Sequence, residues 1–267
     1  MNYTLLCDFY ELTMGNGYFQ TDGYADQICY FDVFFRNVPD GGGFAIAAGL
    51  EQVIDYIENL RFTEEDIAYL RGKGCFCEGF LDYLRTFRFT GDLWAVPEGT
   101  PIFPREPFLT VRAPAIEAQF IETFLLLTLN HQSLIATKTN RIVRAADGRP
   151  VSEFGSRRAQ GPDAAVLGAR ASYIAGCAGT ACTLADEMYG SPPGVPWPTP
   201  GCRCSPTSTP PSRPIASSIP TRPPCWWTPQ RAQVRRAQRH QASRIFCSLR
   251  ALPTAPSGWT AATSPIC

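Results

Sequence analysis

Residues 91–142 read GDLWAVPEGTPIFPREPFLTVRAPAIEAQFIETFLLLTLNHQSLIATKTNRI and decide the fold. In the first part, residues 92–112, apolar residues alternate with proline and glycine, which predicts short strands joined by turns. The pattern then changes to helical spacing, and two helical stretches are predicted over residues 115–130 and 133–145. Short strands that lead into helices indicate mixed α and β structure.

The region before this stretch predicts one strand and several short helices. Asp8, with Glu11 three residues later, is typical of an N-cap and predicts a helix over residues 8–19. The aromatic and β-branched run over residues 28–36 predicts a strand. Further helices are predicted from Leu50 to Leu60, after Thr63 with Asp66 as its capping partner, and over residues 78–86.

The region after it alternates strand and helix patterns. Val151 to Phe154 predicts a short strand, Asp163 to Tyr173 a helix, and residues 176–190 a glycine-rich loop with a short helix. The sequence therefore predicts an α+β domain over residues 1–113 with a helical insert at about 50–86. The opening units of an α/β barrel are predicted over residues 114–190.

The formal net charge of zero conceals a break in composition. All 24 acidic residues lie in residues 1–190, which carry 15 − 24 = −9, whereas residues 191–267 hold nine arginines and no lysine, for +9. Sixteen of the 24 prolines also follow Gly190. A segment so rich in Pro, Ser, Thr and Arg buries too little apolar surface to offset its chain entropy, so we expect residues 191–267 to form a disordered tail.

Cysteine and apolar patterns favour a cytosolic, soluble protein. The first 190 residues are long enough to fold without disulfides, so their six cysteines are expected to be reduced. Cys202 and Cys204 have no second ligand pair nearby, which argues against a zinc site. The longest apolar run, Phe120 to Leu129, is too short to span a bilayer.

Four segments together carry a family resemblance. They are LLCDFYELTMGNGYF (5–19), FFRNVPDGGGFAIAAGLE (34–51), the opening stretch (91–142) and EFGSRRAQGPDAA (153–165), followed by GCAGTACTLAD (176–186). This set resembles bacterial nicotinate phosphoribosyltransferase over nearly all of residues 1–190 and over none of residues 191–267. One departure is Cys7, where the family more often has threonine.

The resemblance implies an ATP-coupled reaction in NAD salvage. Nicotinate attacks phosphoribosyl pyrophosphate and gives nicotinate mononucleotide and pyrophosphate, with ATP and Mg²⁺ as cofactors. The implied architecture is the type II phosphoribosyltransferase fold, an α+β domain on an irregular α/β barrel. Its active sites lie between two subunits of a cytoplasmic homodimer.

The resemblance also implies substrate-binding residues. Tyr10 and Phe154 would stack on the nicotinate ring, one from each subunit, and the fork of Arg157 would bind its carboxylate. Asp8 joins the same site, although it could also be only an N-cap. Tyr10 could instead be a core residue. Arg157 and Arg158 could be solvated loop charges.

Two further positions complete the expected site. Lys138, with Arg141 near it, could bind phosphate or lie on a helix face. Thr180 belongs to the loop Gly179-Thr180-Ala181-Cys182, where related nicotinamide enzymes carry an aspartate. Because a carboxylate would repel nicotinate, its absence from this loop favours the acid over the amide.

The histidine that the family phosphorylates is missing. The chain has only His131, which lies in a helical pattern and is expected to be structural, and His240 in the tail. A one-nucleotide shift near Pro193 or Gly194 would recover a family-like reading and would explain a tail without Asp, Glu or Lys. The chain is therefore expected to be inactive by itself. The alternatives are a non-catalytic dimer partner of a full-length homologue and a nucleic-acid-binding protein that uses the arginine-rich tail.

Overall fold

The computed structural model describes residues 2–194, so the expected disordered tail lies outside the described residues from position 195 onward. The first part of the chain contains α1 (Phe9–Gln20), β1 (Ile28–Val33), β2 (Ala45–Ile46), α2 (Leu50–Asn59), α3 (Glu64–Arg71), α4 (Glu78–Thr86), β3 (Asp92–Ala95), β4 (Pro101–Ile102) and β5 (Leu109–Pro114). The second part contains α5 (Ala115–Phe120), α6 (Glu122–Ala145), β6 (Ser152–Glu153), α7 (Pro162–Ile174), β7 (Gly179–Thr180) and α8 (Thr183–Tyr189).

An antiparallel sheet with strand order β1-β5-β3 forms the centre of the first part. Along β5 the buried residues alternate with half-buried ones, so that Leu109, Val111 and Ala113 face the core. This period of two is the pattern that a sheet covered on one face requires. The predicted strands are confirmed here, although β1 ends at Val33 instead of residue 36.

The three predicted helices of residues 50–86 are confirmed and cover the core. α3 begins with the expected capping box, in which the Thr63 hydroxyl accepts from the Asp66 amide and the Asp66 carboxylate accepts from the Thr63 amide. An apolar side chain of α4 packs on α5, with the Phe80 and Phe120 ring centroids 6.3 Å apart.

The cap predicted at the start of α1 is only partly right. Asp8 occupies the N-cap position with extended backbone angles, but its side chain makes no capping hydrogen bond. The Glu11 side chain does not accept a hydrogen bond from the Asp8 amide, as a capping box would require. Its side chain is fully buried and accepts from the backbone amide of Thr123, at the start of α6. Tertiary packing therefore replaces the local capping box.

The division predicted between the two helical stretches is wrong in position. The helix continues through residues 131–132, and the break falls at Ile121, between α5 and α6. Glu11 provides a physical reason, because it accepts the Thr123 amide hydrogen, one of the amides at the start of α6 that have no partner within the helix. β2 lies along the middle of α6, where the Thr137 hydroxyl accepts from the Ile46 amide at 2.9 Å.

The second part begins a parallel sheet, as expected for an α/β unit. β6 and β7 pair in parallel with Glu153 opposite Thr180, and α7 crosses between them. Next to β7, Pro193 forms an isolated parallel bridge to Thr180. The described chain thus has the predicted mixed architecture, an α+β part followed by the first units of an α/β sheet.

Candidate active site

The carboxyl ends of β6 and β7 bring three of the predicted site residues together. Phe154 and Arg157 follow β6, and Thr180 ends β7. The Phe154 ring is 41% exposed and Arg157 is exposed, whereas Thr180 is buried. Ligands of α/β folds bind at this edge of a parallel sheet, because the loops that follow the strands converge there.

A tight turn sets the spacing between Phe154 and Arg157. Ser156–Arg158 form one turn of 3₁₀ helix, closed by the Arg158 amide on the Gly155 carbonyl at 2.7 Å. The guanidinium of Arg157 makes no hydrogen bond or ion pair with any residue of the described range 2–194. An exposed aromatic ring and an unpaired guanidinium three residues apart can bind a flat aromatic carboxylate, the ring by stacking and the guanidinium by two parallel hydrogen bonds.

Asp8 and Tyr10 form a second group, at the start of α1. Tyr10 is 43% exposed, so the alternative of a core tyrosine is wrong. Partial burial raises the pKa of Tyr10, and the nearby carboxylate of Glu122 raises it further. The Asp8 amide donates to the Thr123 hydroxyl at 3.1 Å, which fixes the chain entering α1.

The surroundings of this second group are acidic. Burial raises the pKa of Glu11 to about 7, while the Thr123 hydrogen bonds oppose the shift and the charge of Glu122 adds to it. Burial is also the main cause that raises the pKa of Glu122. Sequence reasoning treated Glu11 only as a capping partner and missed Glu122, because nothing in the local pattern shows that α1 and α6 meet.

The two groups do not meet within one chain. Across residues 2–194 no hydrogen bond, ion pair or ring contact joins Asp8 or Tyr10 to Phe154, Arg157 or Thr180. This separation agrees with the expectation that the two ring faces come from different subunits, which stays a prediction.

Lys138 and Arg141 pair with a loop elsewhere. Both lie on α6 beside Asp40, with nitrogen-to-oxygen distances of 3.7 Å and 3.5 Å. Arg141 also donates to the Pro39 carbonyl at 3.0 Å. The described structure does not place Lys138 against the Phe154–Arg157 loop, so phosphate binding by Lys138 would require exchange of its exposed partner Asp40.

Glu153 is a site residue that sequence reasoning missed. The loop 179–182 has no carboxylate of its own, but Glu153 reaches it from the neighbouring strand, and its Oε2 accepts from the Thr180 hydroxyl at 2.7 Å. Its Oε1 accepts from the Gly155 amide. The register that places Glu153 opposite Thr180 could have been read only from the pairing of β6 with β7.

A buried arginine behind the site was also missed. Arg170 on α7 is 7% exposed and donates to Glu98, Glu51 and Gln132. Glu98 in turn accepts from the Gly49 and Leu50 amides at the start of α2. Gly49 has a φ of +108° and close contacts with α6, which explains the glycine.

The described residues contain one histidine and six cysteines. His131 lies on α6 with its Nε2 3.3 Å from the Ala164 carbonyl, as expected for a structural histidine, and His240 lies outside the described residues. All six cysteines up to Cys182 are free, and burial raises the pKa of Cys7 to about 12. Cys202 and Cys204 lie outside the described residues. No helix within residues 2–194 is long and apolar enough to cross a membrane.

Comparison with known proteins gives a consistent picture. Residues 5–130 match the nicotinate phosphoribosyltransferase (NAPRTase) N-terminal domain. The chain is 50% identical over 188 residues to nicotinate phosphoribosyltransferase pncB2 of Mycobacterium tuberculosis, covering 70% of this chain and 40% of that protein. It is 42% identical over 189 residues to nicotinate phosphoribosyltransferase of Bacillus subtilis, covering 71% of this chain and 38% of that protein.

A solved structure shows the same fold. Human nicotinic acid phosphoribosyltransferase superimposes with a TM-score of 0.67 at 33% identity, over 72% of this chain and 39% of the human chain. The present chain therefore spans about 40% of the length of the curated relatives that it matches.

Proposed function

We propose that this chain, whose residues 5–130 match the nicotinate phosphoribosyltransferase N-terminal domain, descends from an enzyme that joins nicotinate to phosphoribosyl pyrophosphate in NAD salvage. The observation that carries the proposal is the edge where β6 and β7 end. There the half-exposed Phe154, the unpaired fork of Arg157 and the buried Thr180 follow two paired parallel strands. A ring with one carboxylate matches this set by stacking and by a bidentate ion pair.

The proposed roles divide between binding and orientation. Phe154 would hold one face of the ring and Tyr10 of a second subunit the other, so that the active unit would be a cytoplasmic homodimer. Arg157 would orient the ring through its carboxylate, so that the ring nitrogen faces the ribose carbon it attacks. Asp8 remains a proposed member of the substrate site and Lys138 a proposed phosphate contact. The domain division at residues 113–114 remains part of the same proposal.

The similarity to nicotinate phosphoribosyltransferases is the only support for ATP and Mg²⁺ as cofactors. Within residues 2–194 no group of three or more His, Cys, Asp or Glu side chains is placed to hold a metal ion. Mg²⁺ in such reactions is commonly carried by substrate phosphates with one or two carboxylates. No step is therefore assigned to a metal ligand of the described residues.

We further propose that these 267 residues do not complete the reaction by themselves. Pro193 forms an isolated parallel bridge to Thr180, six residues after Glu187, the last acidic residue of the sequence. A one-nucleotide frameshift near residue 193 accounts for both the change in composition and the missing histidine. The coding DNA tests this directly, because a shift of one base there must restore a family-like reading downstream.

Activity measurements test the reaction class. The purified, mass-verified chain should form no nicotinate mononucleotide from nicotinate, phosphoribosyl pyrophosphate, ATP and Mg²⁺, whereas a frame-restored chain should form it. Turnover by the 267-residue chain would contradict the inactivity, and an inactive but folded frame-restored chain would contradict the reaction.

The role of Arg157 has its own test in the frame-restored chain. Arg157→Ala should weaken nicotinate binding by about 100-fold, since a bidentate bond to a carboxylate is lost. Arg158→Ala is the matched control, because Arg158 is an exposed arginine in the same turn. Equal losses in the two variants would assign the effect to loop charge instead of a specific contact.

The two alternative functions keep separate tests. A non-catalytic partner should co-purify with a full-length homologue through its N-terminal part. A nucleic-acid-binding role of the arginine-rich tail rests on residues outside the described range, and a salt titration decides it.

A further inference from the structure

The side chain of Glu153 joins the two loops that form the candidate site. Register pairing of β6 with β7 sets Glu153 opposite Thr180, so both side chains lie on the same face of the sheet. One carboxylate oxygen accepts from the Thr180 hydroxyl at 2.7 Å, and the other accepts from the Gly155 amide. The carboxylate therefore bridges the end of its own strand and the end of the next one.

Thr180 extends the connection one step further. Its hydroxyl donates to Glu153 and accepts from the Cys182 amide at 3.0 Å, while the side chain is 1% exposed. The Ala181 amide also donates to the backbone carbonyl of Glu153 at 2.9 Å. The loop after β7 is thus held through one side chain and one carbonyl of the neighbouring strand.

Gly155 lies directly against the Glu153 carboxylate. A Cβ at position 155 would lie 2.8 Å from Oε1 of Glu153, closer than carbon and oxygen can approach without movement. The glycine lets the backbone amide reach the carboxylate and then starts the turn that carries Arg157. Glu153, Gly155 and the turn therefore act as one unit.

We propose that Glu153 is a positioning residue that clamps the Phe154–Arg157 loop to the Thr180–Cys182 loop. Both of its oxygens are occupied by internal donors, so Glu153 acts through Phe154 and Arg157 and not by touching a ligand. The identity of that ligand rests on the proposed function, whereas the clamp itself rests on the hydrogen bonds within residues 153–182.

Amide hydrogen exchange, measured by NMR on the full 267-residue chain, tests the clamp without any ligand. Glu153→Gln retains the size of the side chain but only one acceptor oxygen. Exchange at Gly155 should accelerate at least tenfold, since its hydrogen bond to a charged group is lost. Exchange at Cys182 should accelerate as well, because the Thr180 hydroxyl that accepts its amide is no longer held by a carboxylate. Amides of β5 should keep their exchange rates, which reports that the rest of the fold is intact.

Matched variants separate positioning from general loss of structure. Glu187→Gln changes an exposed glutamate on α8 and should leave all of these rates unchanged. Thr180→Val should accelerate exchange at Cys182, and Thr180→Ser, which keeps the hydroxyl, should restore protection. If Glu153→Gln does not fold, the comparison of Thr180→Val with Thr180→Ser still tests the clamp.

Unchanged exchange at Gly155 and Cys182 in folded Glu153→Gln, or equal exchange in the Val and Ser variants, would overturn the clamp. A nicotinate titration of the frame-restored chain addresses the ligand. If the 267-residue chain shows the exchange pattern but the folded, frame-restored chain binds no nicotinate, the clamp is supported and the proposed function is contradicted.

Discussion

At the residue scale, Glu11 is a carboxylate in unusual surroundings. Its side chain is fully buried, it accepts from the Thr123 amide and hydroxyl, and its Oε2 has no partner within residues 2–194. Asp8 and Glu122 lie near enough to disfavour a further negative charge, and Cys7, Tyr10 and Tyr56 are the other titratable groups that face this cluster. Burial is the main cause of a pKa of about 7.

This raised pKa makes stability depend on pH. Between the ordinary glutamate pKa and 7, the folded chain binds a proton that the unfolded chain has released. The contribution of Glu11 to stability is therefore complete below about pH 4.5 and is lost as the pH rises to 7. Glu11→Gln should remove this dependence, so that the fall in unfolding free energy between pH 5 and pH 8 shrinks by about 2 kcal/mol.

Urea denaturation of both chains at the two pH values measures the difference. Glu65→Gln serves as the control, because Glu65 is an exposed residue on α3 and should leave the pH dependence unchanged. If Glu11→Gln and the parent chain lose equal stability over this range, Glu11 is ionised in the folded chain at pH 5.

At the element scale, Arg170 connects helices that are far apart in sequence. From α7 it donates to Glu51 on α2, to Gln132 on α6, and to Glu98 in the turn between β3 and β4. Its hydrogen bonds keep the pKa of the Glu98 carboxyl below its usual value despite the opposing effect of burial. These hydrogen bonds hold α7 against α2, α6 and the turn between β3 and β4.

Arg170→Met should destabilise the chain by about 3 kcal/mol, because it leaves Glu98 half-buried without its cation. The double variant Arg170→Met with Glu98→Gln should recover part of that loss, since the unpaired charge is then absent. Thermal or urea unfolding of the single and double variants measures the coupling. Purely additive losses would show that the two side chains do not interact.

A second prediction at this scale concerns the capping box of α3. Thr63→Ala removes the hydroxyl that accepts the Asp66 amide and should cost about 1 kcal/mol in unfolding free energy. The matched control is Thr86→Ala, whose exposed hydroxyl bonds only to the Tyr83 carbonyl within its own helix. Thr86→Ala should change the unfolding free energy by less than about 0.5 kcal/mol. A loss as large as that of Thr63→Ala would argue against a specific cap.

At the scale of the whole molecule, the zero net charge is the sum of two opposite parts. Residues 1–190 carry 15 − 24 = −9 and residues 191–267 carry +9. The acidic part contains the described fold, and its Arg157, Lys138 and Arg170 are local exceptions to that charge. The net charge of the whole chain therefore says little about which ligands the folded part attracts.

Removal of residues 195–267 should abolish any binding to nucleic acid. The full chain should bind a generic DNA duplex weakly, without sequence preference, and with an affinity that falls steeply as salt rises, because the arginines contact phosphates. The chain of residues 1–194 should not bind at the same concentrations. Fluorescence anisotropy with two unrelated duplexes measures both, and a preference for one duplex that survives high salt would favour a specific nucleic-acid function.

The sequence alone determined most of the helices and strands, the change of composition after residue 190 and the family resemblance, but it missed β2 and misplaced the break between α5 and α6. Local periodicity and caps carry that information, as the capping box of Thr63 and the helix from Leu50 show. Motif position likewise led to the prediction that Phe154 and Arg157 contact the ring and the carboxylate, which stays a prediction.

Tertiary structure alone decided which side chains meet. Glu11 contacts Thr123, Glu153 contacts Thr180, and Arg170 contacts Glu98, over separations of 112, 27 and 72 residues. The hydrogen bonds of a buried carboxylate depend on which elements pack around it, and packing is a property of the assembled core and not of local pattern. For this reason the strands and helices could be predicted, whereas the acidic cluster, the Glu153 clamp and the buried arginine could not.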